Sequence, residues 1–373
     1  MAPHPLNKVY FTCGGSEANE SAIKLAKQYH KDAGNKEKHI VIGRWHSYHG
    51  NTLGSLSAGG DIKRRQLYTQ NLLNFKHVYS PNCIRCPYQR KLEDCNQEQN
   101  WSCVKDIEKL IIEVGPEQIS SFIAEPIVGS QLGSVSPPND YFKKVRELCD
   151  QYNIILIADE VMTGFGRTGT HFAIEHFDFI PDIITFGKGV SAGYSPLGGM
   201  IVHDKLIAGL IQNSQGKFAH GYTYSGHPVS VAAGLAVVKK LEENQVLENV
   251  KKQGEYLYKQ LKRLQEKYTL IWDVRGKGLL LGIELAINKS GDPFPVSVSA
   301  SEEINRLAME HGAVFYPGKG TINGLEGDHL LIAPPLIISK SEIDKIIHIL
   351  EKALQQFMYT RGMDENEPFR KRN

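Results

Sequence analysis

IILIADEV (residues 154–161) and IITFGKG (residues 183–189) are the two stretches of sequence that decide the fold of this chain. Each begins with a continuous apolar run that is too short for a helix, which is typical of a buried strand. The first run ends on the acid Asp159, and the second leads directly into Lys188. In an open α/β sheet, ligands bind in the crevice beyond the carboxyl ends of the strands. We therefore expect Asp159 and Lys188 to meet at a ligand-binding edge.

An acid and a lysine delivered to such an edge are the two groups that a pyridoxal phosphate enzyme requires. The lysine amine forms a Schiff base, and the carboxylate keeps the pyridine nitrogen protonated so that the ring accepts electrons. A plainer explanation also exists, because a lysine between glycines is often only solvated and an aspartate at a strand end is often a cap. The rest of the chain has to decide between the two.

Composition sets mild limits on function. At 373 residues, the chain is long enough for a large core and for about two domains. Its 43 basic and 41 acidic residues give a formal charge of +2, so no nucleic-acid partner is expected. The N-terminus lacks the apolar core of a signal peptide and no run approaches membrane-spanning length, so we expect no membrane association. Six cysteines do not suggest a disulfide framework, which makes a reducing cytoplasm the expected compartment.

Apolar runs alternate with helical patterns over the first 227 residues. Helical patterns cover residues 16–34 and 141–152. The strand-like runs outside the two opening stretches are KVYFTC (8–13), HIVIG (39–43), SFIAEPIV (121–128) and GGMIV (198–202). This alternation predicts an α/β fold with a mostly parallel sheet flanked by helices, forming a large domain over residues 1–227.

The pattern changes from residue 228 onward. A long helical stretch, interrupted near Asn244, is followed by the strand-like VRGKGLLLGIELA (274–286), a helical pattern at residues 301–312 and a last helix after LLIAPPLIIS (330–339). We predict a connecting long helix and a smaller α+β domain over residues 228–359. Residues 360–373 are too polar to pack and are predicted to be disordered.

Three further stretches bear on a planar, phosphorylated cofactor. TCGGSEANE places Gly15 and Ser16 where a strand turns into a helix, and a helix N-terminus binds anions through its amides and its dipole. In isolation, however, Ser16 is an ordinary N-cap. WHSYHGNT (45–52) offers Tyr48 for stacking, although such aromatic residues are also common in packed loops. HGYTYSGHP (220–228) by itself indicates only a loop.

GFGRTG (residues 164–169) matches the dinucleotide-binding pattern GxGxxG, and Asp182 lies roughly where a ribose-binding acid would be sought. A dinucleotide fold needs that glycine turn to open a crossover helix packed on the sheet. The stretch that follows, THFAIEHFDFIPD, is short, aromatic and interrupted by Pro181. We therefore predict no nucleotide site at this turn.

Several motifs occur in the order typical of one enzyme family: GGSEANESAIKLAK, WHSYHGNT, AEPIVGS, IILIADEVMTGFGRTG, DIITFGKGVSAGYSPLGGMIV, HGYTYSGHP and VRGKGLLLGIEL. Together they resemble the class III pyridoxal phosphate-dependent aminotransferases, the group that includes ω-amino acid and amine transaminases. The resemblance runs from about Asn7 to about Gln356. It implies the aspartate aminotransferase-like fold, fold type I of these enzymes, and a homodimer whose active sites are built from both subunits.

The resemblance assigns roles to eight residues. Lys188 matches the Schiff-base lysine, and Asp159 matches the partner of the pyridine nitrogen. Val161 and Tyr48 match the residues that pack on opposite faces of the ring. The remaining matches are Gly15 and Ser16 at the phosphate-binding turn, Glu125 near the substrate end of the cofactor, and Thr223, which reaches the cofactor phosphate of the neighbouring subunit.

The implied activity transfers an amino group from an amine or ω-amino acid to a keto acid such as pyruvate or 2-oxoglutarate. Two half-reactions would give ping-pong kinetics. Aminomutases, racemases and decarboxylases share Lys188 and Asp159, so the sequence separates these reactions poorly. A non-catalytic dimerisation or binding remnant is a third alternative.

The chain departs from the family in three ways. It begins almost at the phosphate turn, whereas family members carry a preceding segment that supplies dimer contacts and part of the substrate pocket, so we expect a truncated chain. No arginine lies between Leu325 and Pro335, where some members bind a substrate carboxylate. Met162 stands where several members have a glutamine beside the cofactor.

Four of the six cysteines lie in one polar insertion: Cys83, Cys86, Cys95 and Cys103. Four thiols can bind zinc tetrahedrally, but the second pair is widely spaced and the cofactor's chemistry requires no metal. We therefore predict no catalytic metal and leave a structural one open. His46 and His49 resemble metal ligands, but we expect them to pack within their loop.

Overall fold

The computed structural model describes residues 1–97 and 100–363, and the chain divides into two compact units. The first unit comprises Met1–Pro126, Pro137–Gly166 and Thr170–Asn244. The second comprises Ile127–Ser136, Arg167–Gly169 and the described chain from Gln245 onward. Every predicted cofactor residue lies in the first unit.

A seven-stranded sheet forms the centre of the first unit. Its strands are β1 (Leu6–Thr12), β2 (Ile40–Arg44), β3 (Lys76–Val78), β4 (Ile119–Ala124), β5 (Ile155–Asp159), β6 (Ile183–Phe186) and β7 (Gly198–His203). Their spatial order is β1-β7-β6-β5-β4-β2-β3. Strands β2 to β6 are parallel, whereas β7 is antiparallel to both β6 and β1. The predicted mostly parallel sheet is confirmed.

Helices cover the sheet, which explains the continuous apolar runs in its central strands. The helices of the first unit are α1 (Gly15–Asp32), α2 (Leu53–Ala58), α3 (Ile62–Gln66), α4 (Leu92–Gln97), α5 (Ser102–Val114), α6 (Tyr141–Gln151), α7 (Asp204–Ser214) and α8 (Pro228–Glu243). Strands β4, β5 and β6 are buried along their whole length. Leu25 and Ala26 of α1 belong to the same buried cluster as Ile123 and Ile157 of the sheet.

The first helix, α1, starts at the predicted glycine turn. It ends at Asp32, with Ala33 as its C-cap and Gly34 beyond it at φ +90°. Glycine takes up such a left-handed conformation at little cost, so it commonly terminates helices. The end of α1 is thereby fixed by local backbone conformation.

The second unit contains a four-stranded antiparallel sheet. Its strands are β8 (Ile271–Lys277), β9 (Leu280–Leu285), β10 (Tyr316–Lys319) and β11 (Asp328–Ile332), in the spatial order β10-β11-β9-β8. Its helices are α9 (Val246–Lys267), α10 (Ala300–Glu310) and α11 (Lys340–Arg361). The unit has the α+β character predicted for the C-terminal part.

The structure differs from the predicted boundaries at three points. Helix α8 belongs to the first unit, so the units part at Asn244 rather than at residue 227; α8 packs against the turn Lys188–Ser191 of that unit. Strand β4 ends at Ala124, before the predicted limit of 128. Helix α11 runs to Arg361, two residues into the predicted tail.

Two further predictions concern the ends of the chain and the membrane. Residues 364–373, which make up most of the predicted disordered tail, lie outside the described residues. Within the described residues, no helix is long and apolar enough to span a bilayer.

Candidate active site

Polar side chains gather at the carboxyl ends of the central parallel strands. Asp159 is the last residue of β5 and pairs in register with Thr185 of β6. Glu125 follows β4 directly, and Lys188 lies two residues after β6. Because these strands are parallel and adjacent, all three residues lie at the same edge of the sheet.

Asp159 is buried and fully engaged in hydrogen bonds. Its Oδ2 accepts from Nδ1 of His49 at 2.7 Å and from Nδ2 of Asn19 at 2.8 Å, and its Oδ1 accepts from the amide of Val161 at 3.0 Å. Burial acts to raise the pKa of Asp159, but the His49 contact, the Val161 amide and Asn19 outweigh it and lower that pKa. The carboxylate is therefore held in its charged form.

Two residues that the sequence did not assign to the site complete this network. His49 is buried and, because an ionised carboxylate can only accept, its Nδ1 carries the proton shared with Asp159. Asn19, also buried, donates to the His49 carbonyl at 2.7 Å, and its Oδ1 accepts from the Thr185 hydroxyl at 2.6 Å. We had expected His49 only to pack within its loop, but it also forms a hydrogen bond with Asp159.

A signal for these residues exists in the sequence. Asparagine is a poor helix former because its side chain competes for backbone hydrogen bonds, so an asparagine within the amphipathic pattern of α1 indicates a specific partner. His49 follows Tyr48 directly in WHSYHGNT. The partner of Asn19 is Asp159, which lies 140 residues further along the chain. This pairing is visible only in the folded protein.

Glycines allow the ends of β5 and β6 to approach the start of α1. A Cβ atom on Gly15 would lie 2.6 Å from Cγ1 of Val161, too close to be accommodated without movement. A Cβ atom on Gly187 would lie 3.3 Å from the amide nitrogen of Gly15. Val161 is therefore packed directly against the glycine turn.

The N-terminus of α1 is suited to an anionic group. The helix begins at Gly15, and no side chain in the described chain caps its N-terminus. Ser16 Oγ accepts a hydrogen bond from the amide of Asn51 at 3.2 Å. Gly50, at φ +126°, comes so close that a Cβ atom there would lie 2.3 Å from Ser16 Oγ. Backbone amides and the helix dipole together favour an anion at this end of α1.

The loop bearing Tyr48 is anchored to the end of β4. The amide of Tyr48 donates to Oε1 of Glu125 at 3.1 Å, and the carbonyl of Glu125 accepts from Nη2 of buried Arg44 at 2.5 Å. The guanidinium of Arg64 lies 4.9 Å from the centre of the Tyr48 ring. Tyr48 and Glu125 are thus held together at the site.

Lys188 occupies an unusual backbone conformation. Its φ is +43°, in the left-handed region that costs a non-glycine residue of the order of 1–2 kcal/mol. The residue opens the turn Lys188–Ser191, and its side chain is exposed. Strained backbone of this kind clusters at functional sites, where the surrounding structure enforces it.

Thr223 lies apart from the buried network. It is exposed in the loop between α7 and α8. That loop is tied to the start of the chain, because His220 Nε2 lies 3.0 Å from the Ser21 hydroxyl and the His220 carbonyl accepts from Tyr10 at 3.3 Å. The structure therefore presents Thr223 at the surface of the first unit.

The neighbouring carboxyl group of Glu160 has the opposite electrostatic environment. It is completely buried, accepts from the amide of Ile174 at 2.8 Å and is hydrogen-bonded to Thr163. Burial raises the pKa of Glu160 to about 7, against the effect of these donors. The pKa values of the two consecutive acids, Asp159 and Glu160, are therefore shifted in opposite directions. The difference arises because only Asp159 accepts hydrogen bonds from His49 and Asn19.

The GFGRTG turn does not open a crossover helix. The next helical segment is the short 3₁₀ turn Ala173–His176. The condition for a dinucleotide site is therefore not met. Asp182 instead accepts from the amide of Leu156 at 2.7 Å and from Arg146 at 2.9 Å, which gives it a structural role.

Similarity to characterised proteins is extensive. The family model described as "Aminotransferase class-III" matches residues 1–354. A putrescine–pyruvate aminotransferase of Pseudomonas aeruginosa is 36% identical over 358 residues, which cover 95% of this chain and 75% of that protein. The crystal structure of a transaminase from the marine bacterium Virgibacillus matches with a TM-score of 0.88 at 36% identity, covering 96% of this chain and 77% of that one. An amine transaminase from an uncultivated Pseudomonas species, solved in its PLP-bound form, matches with a TM-score of 0.86 at 32% identity, covering 94% and 77%.

Proposed function

Because the chain belongs to the class-III aminotransferase family, we propose that it transfers an amino group from an amine or ω-amino acid donor to a keto acid such as pyruvate or 2-oxoglutarate. The buried, charged Asp159 beside the strained Lys188 turn is the observation that carries this proposal. The name of the Pseudomonas aeruginosa relative, which pairs a diamine with pyruvate, supports this class of substrates.

We propose pyridoxal phosphate as the cofactor, and the site's residues fit it. Asp159 is charged and hydrogen-bonded, as a partner for a protonated ring nitrogen must be. Val161 and Tyr48 would pack on the two ring faces, and Gly15 and Ser16 at the start of α1 would bind the phosphate. When bound, pyridoxal phosphate supplies an aldehyde that reacts with amines and a ring that accepts electrons.

The chain's own residues would bind, orient and move protons. Nζ of Lys188 would hold the cofactor at rest and, once displaced by the donor amine, carry a proton away from the substrate carbon. Asp159, fixed by His49 and Asn19, would keep the ring nitrogen protonated. Glu125, held beside Tyr48, would line the substrate end of the site.

We also propose a homodimer in which Thr223 contacts the cofactor phosphate of the partner subunit. The exposure of Thr223 on a loop anchored to β1 and α1 supports this role, because a residue that serves a second subunit has to lie at the surface. A reducing cytoplasm remains a prediction from cysteine content alone.

Replacing Lys188 with alanine tests the assignment directly. Lys188→Ala keeps a Cβ atom, so the backbone cost of the left-handed conformation is unchanged, but the amine is lost. We expect a folded protein that still takes up pyridoxal phosphate, with the transamination rate below detection. The measurements are cofactor absorbance and a coupled assay for the keto-acid product, and turnover that persists would contradict the proposal.

The reaction type is tested by a donor–acceptor screen on protein with verified cofactor content. Amines, ω-amino acids and α-amino acids are each paired with pyruvate or 2-oxoglutarate. An aminotransferase requires the keto acid for repeated turnover and shows ping-pong kinetics. Turnover without a keto acid would indicate an aminomutase, racemase or decarboxylase, and absence of any cofactor absorbance would favour the non-catalytic alternative.

A further inference from the structure

Four cysteines converge on one place in the first unit, far from the cofactor residues in sequence. Cys83 and Cys86 flank a turn, Cys95 lies in the short helix α4, and Cys103 lies in the first turn of α5. All four are partly buried and carry free thiols. We refer to them as the thiol cluster.

The four thiol residues line a single small cavity of about 20 Å³. A void of this size holds about one water-sized particle. Its other lining residues include Pro81, Pro87, Tyr88 and Trp101. The cavity is therefore sized for a single ion and bounded largely by sulfur and apolar or aromatic groups.

All four cysteines line the same cavity. The convergence thus includes both halves of the cluster, although the second pair is widely spaced in the sequence.

The chain segment that carries the cluster contains little regular secondary structure among its described residues. The connection from β3 to α5, residues 79–101, contains only the short helix α4 among its described residues. Connections longer than about 12–15 residues without secondary structure are uncommon in compact domains. Of the large apolar side chains described there, Trp101 is buried, whereas Ile84 is 45% exposed. Segments with so small a core are commonly stapled by disulfides or metals.

We propose that the thiol cluster binds a single Zn²⁺ ion as a structural site that joins the turn at Cys83 and Cys86 to helices α4 and α5. Structural zinc sites commonly use four thiolates in a tetrahedral arrangement. Cys83 and Cys86 are separated by two residues, which is a spacing common among such ligands. A cavity for one ion disfavours an iron–sulfur cluster, which needs room for several atoms. The proposal does not depend on the aminotransferase activity.

Binding requires inward movement of the sulfur atoms. In the portion of the chain that is described, no three histidine, cysteine or carboxylate side chains yet have an arrangement that could hold an ion. A cysteine side chain has a single rotatable bond with three staggered positions, and rotation about this bond is the movement that binding would use. Each thiol would lose its proton to solvent as its sulfur bonds the ion, so four protons are released for each zinc bound and no oxidant is needed.

Metal content is the primary test. The full chain is produced in zinc-supplemented medium, purified under a thiol reductant without chelators, and analysed by mass spectrometry for metals. We expect about one zinc per chain, as a complete four-ligand site implies. Cys86→Ser and Cys103→Ser should lose most of this zinc. Cys149→Ala, which removes a buried cysteine outside the cluster, is the matched control and should keep it.

A second measurement avoids dependence on variants that fail to fold. Zinc is removed from the wild-type chain with a chelator and replaced by Co²⁺. A tetrahedral thiolate site should then produce sulfur-to-cobalt charge-transfer bands, and thiol reagents should react with four fewer cysteines than in the metal-free protein. Trypsin should also cut faster at Arg85, Arg90 and Lys91 once the metal is removed.

Several results would overturn the proposal. They are clearly substoichiometric zinc in reduced wild-type protein, zinc retained by Cys86→Ser at the level of Cys149→Ala, an octahedral cobalt spectrum, or iron with inorganic sulfide in place of zinc. Disulfides linking the cluster in freshly purified, reduced protein would equally exclude it.

Discussion

Asp159 illustrates how a carboxylate is kept charged in a protein interior. Burial alone favours the neutral acid, and Glu160, one residue further along, shows this effect with a pKa raised to about 7. Asp159 escapes it because His49, Asn19 and the Val161 amide all donate to its oxygens. The charged carboxylate is thus maintained by donors from three separate parts of the chain: α1, the loop after β2 and the residues directly after β5.

His49 is expected to be essential for this arrangement. His49→Leu removes one donor from the buried carboxylate, which costs about 1–3 kcal/mol and raises the pKa of Asp159. If that cost falls on the state that binds cofactor, the dissociation constant of pyridoxal phosphate rises on the order of 10- to 100-fold. Equilibrium titration followed by cofactor absorbance measures it.

The matched control is His49→Asn. Its side-chain amide can place a donor near the position of Nδ1, so cofactor affinity should recover much of the loss. Equal affinity in the leucine variant and the wild type would show that His49 only fills space.

At the scale of single residues, sequence reasoning reached the groups that stand at strand ends. Asp159 and Lys188 could be singled out because an acid and a lysine each follow a short buried strand. The supporting residues could not be assigned in the same way. The bonds of Asn19 to Asp159 and to Thr185 span 140 and 166 residues, and no local pattern specifies such pairs.

Among the elements, α11 shows the clearest local control of a helix boundary. Ser339 Oγ accepts from the amide of Glu342 at 3.3 Å, and Oε2 of Glu342 accepts from the amide of Ser339 at 2.8 Å. This reciprocal capping box satisfies backbone donors that the helix itself leaves unpaired. It fixes the start of α11 independently of how the rest of the second unit packs.

Removal of the cap should destabilise the second unit measurably. Ser339→Ala is expected to lower its free energy of unfolding by about 1 kcal/mol. Denaturant titration followed by circular dichroism checks the value. Ser341→Ala serves as the control, because the Ser341 hydroxyl contacts Ser339 but caps no backbone amide. A loss as large in the control as in Ser339→Ala would argue against the capping explanation.

Element boundaries were predictable where a backbone signal marks them. The helical pattern predicted up to residue 34 corresponds to α1, which ends at Asp32 just before Gly34 takes up φ +90°. The predicted break near Asn244 appears where Gln245 takes up φ +50°. The predicted end of β4 was wrong because apolar residues continue past it. Pro126 has no amide hydrogen to donate to a neighbouring strand, so β4 stops before it. The apolar residues Ile127 and Val128 that follow belong to the second unit.

For the whole molecule, buried neutral histidines make stability sensitive to acid. Burial is the main cause that lowers the pKa of His30, His77 and His329, each to about 4. In the unfolded chain these groups titrate near 6.5. Between pH 6.5 and 4 the unfolded chain therefore binds protons that the folded chain does not.

We expect the free energy of unfolding to fall as the pH drops from about 6.5 to about 4. Each histidine contributes up to about 1.4 kcal/mol per pH unit in that window, and nothing further below it. Denaturant unfolding at a series of pH values measures the slope.

His30→Gln should reduce the slope of the free energy of unfolding against pH by the contribution of one proton. Glutamine can donate to the Ser120 carbonyl, which His30 Nε2 contacts at 2.9 Å, without binding a proton itself. His311→Gln, at an exposed position, is the control and should leave the slope unchanged. An unaltered slope in His30→Gln would show that His30 is protonated in the folded state.

At this scale the sequence predicted the fold class well and the division of the chain less well. Alternating strands and helices identified the parallel sheet, and the family resemblance identified the aminotransferase class. The boundary at residue 227 rested on a change of pattern at the start of α8. Which side of a boundary a helix joins depends on the surface against which it packs, and α8 packs on the turn that opens with Lys188.

That turn has a consequence for anyone who wishes to engineer the protein. Glycine adopts a φ of +43° at a lower conformational energy than lysine does. A redesign guided by stability would therefore select Lys188→Gly as a favourable substitution. The gain in melting temperature would come at the expense of the amine on which turnover is proposed to depend. Thermostability and catalysis are thus in direct competition at a single backbone torsion, and stabilising libraries should leave this position out.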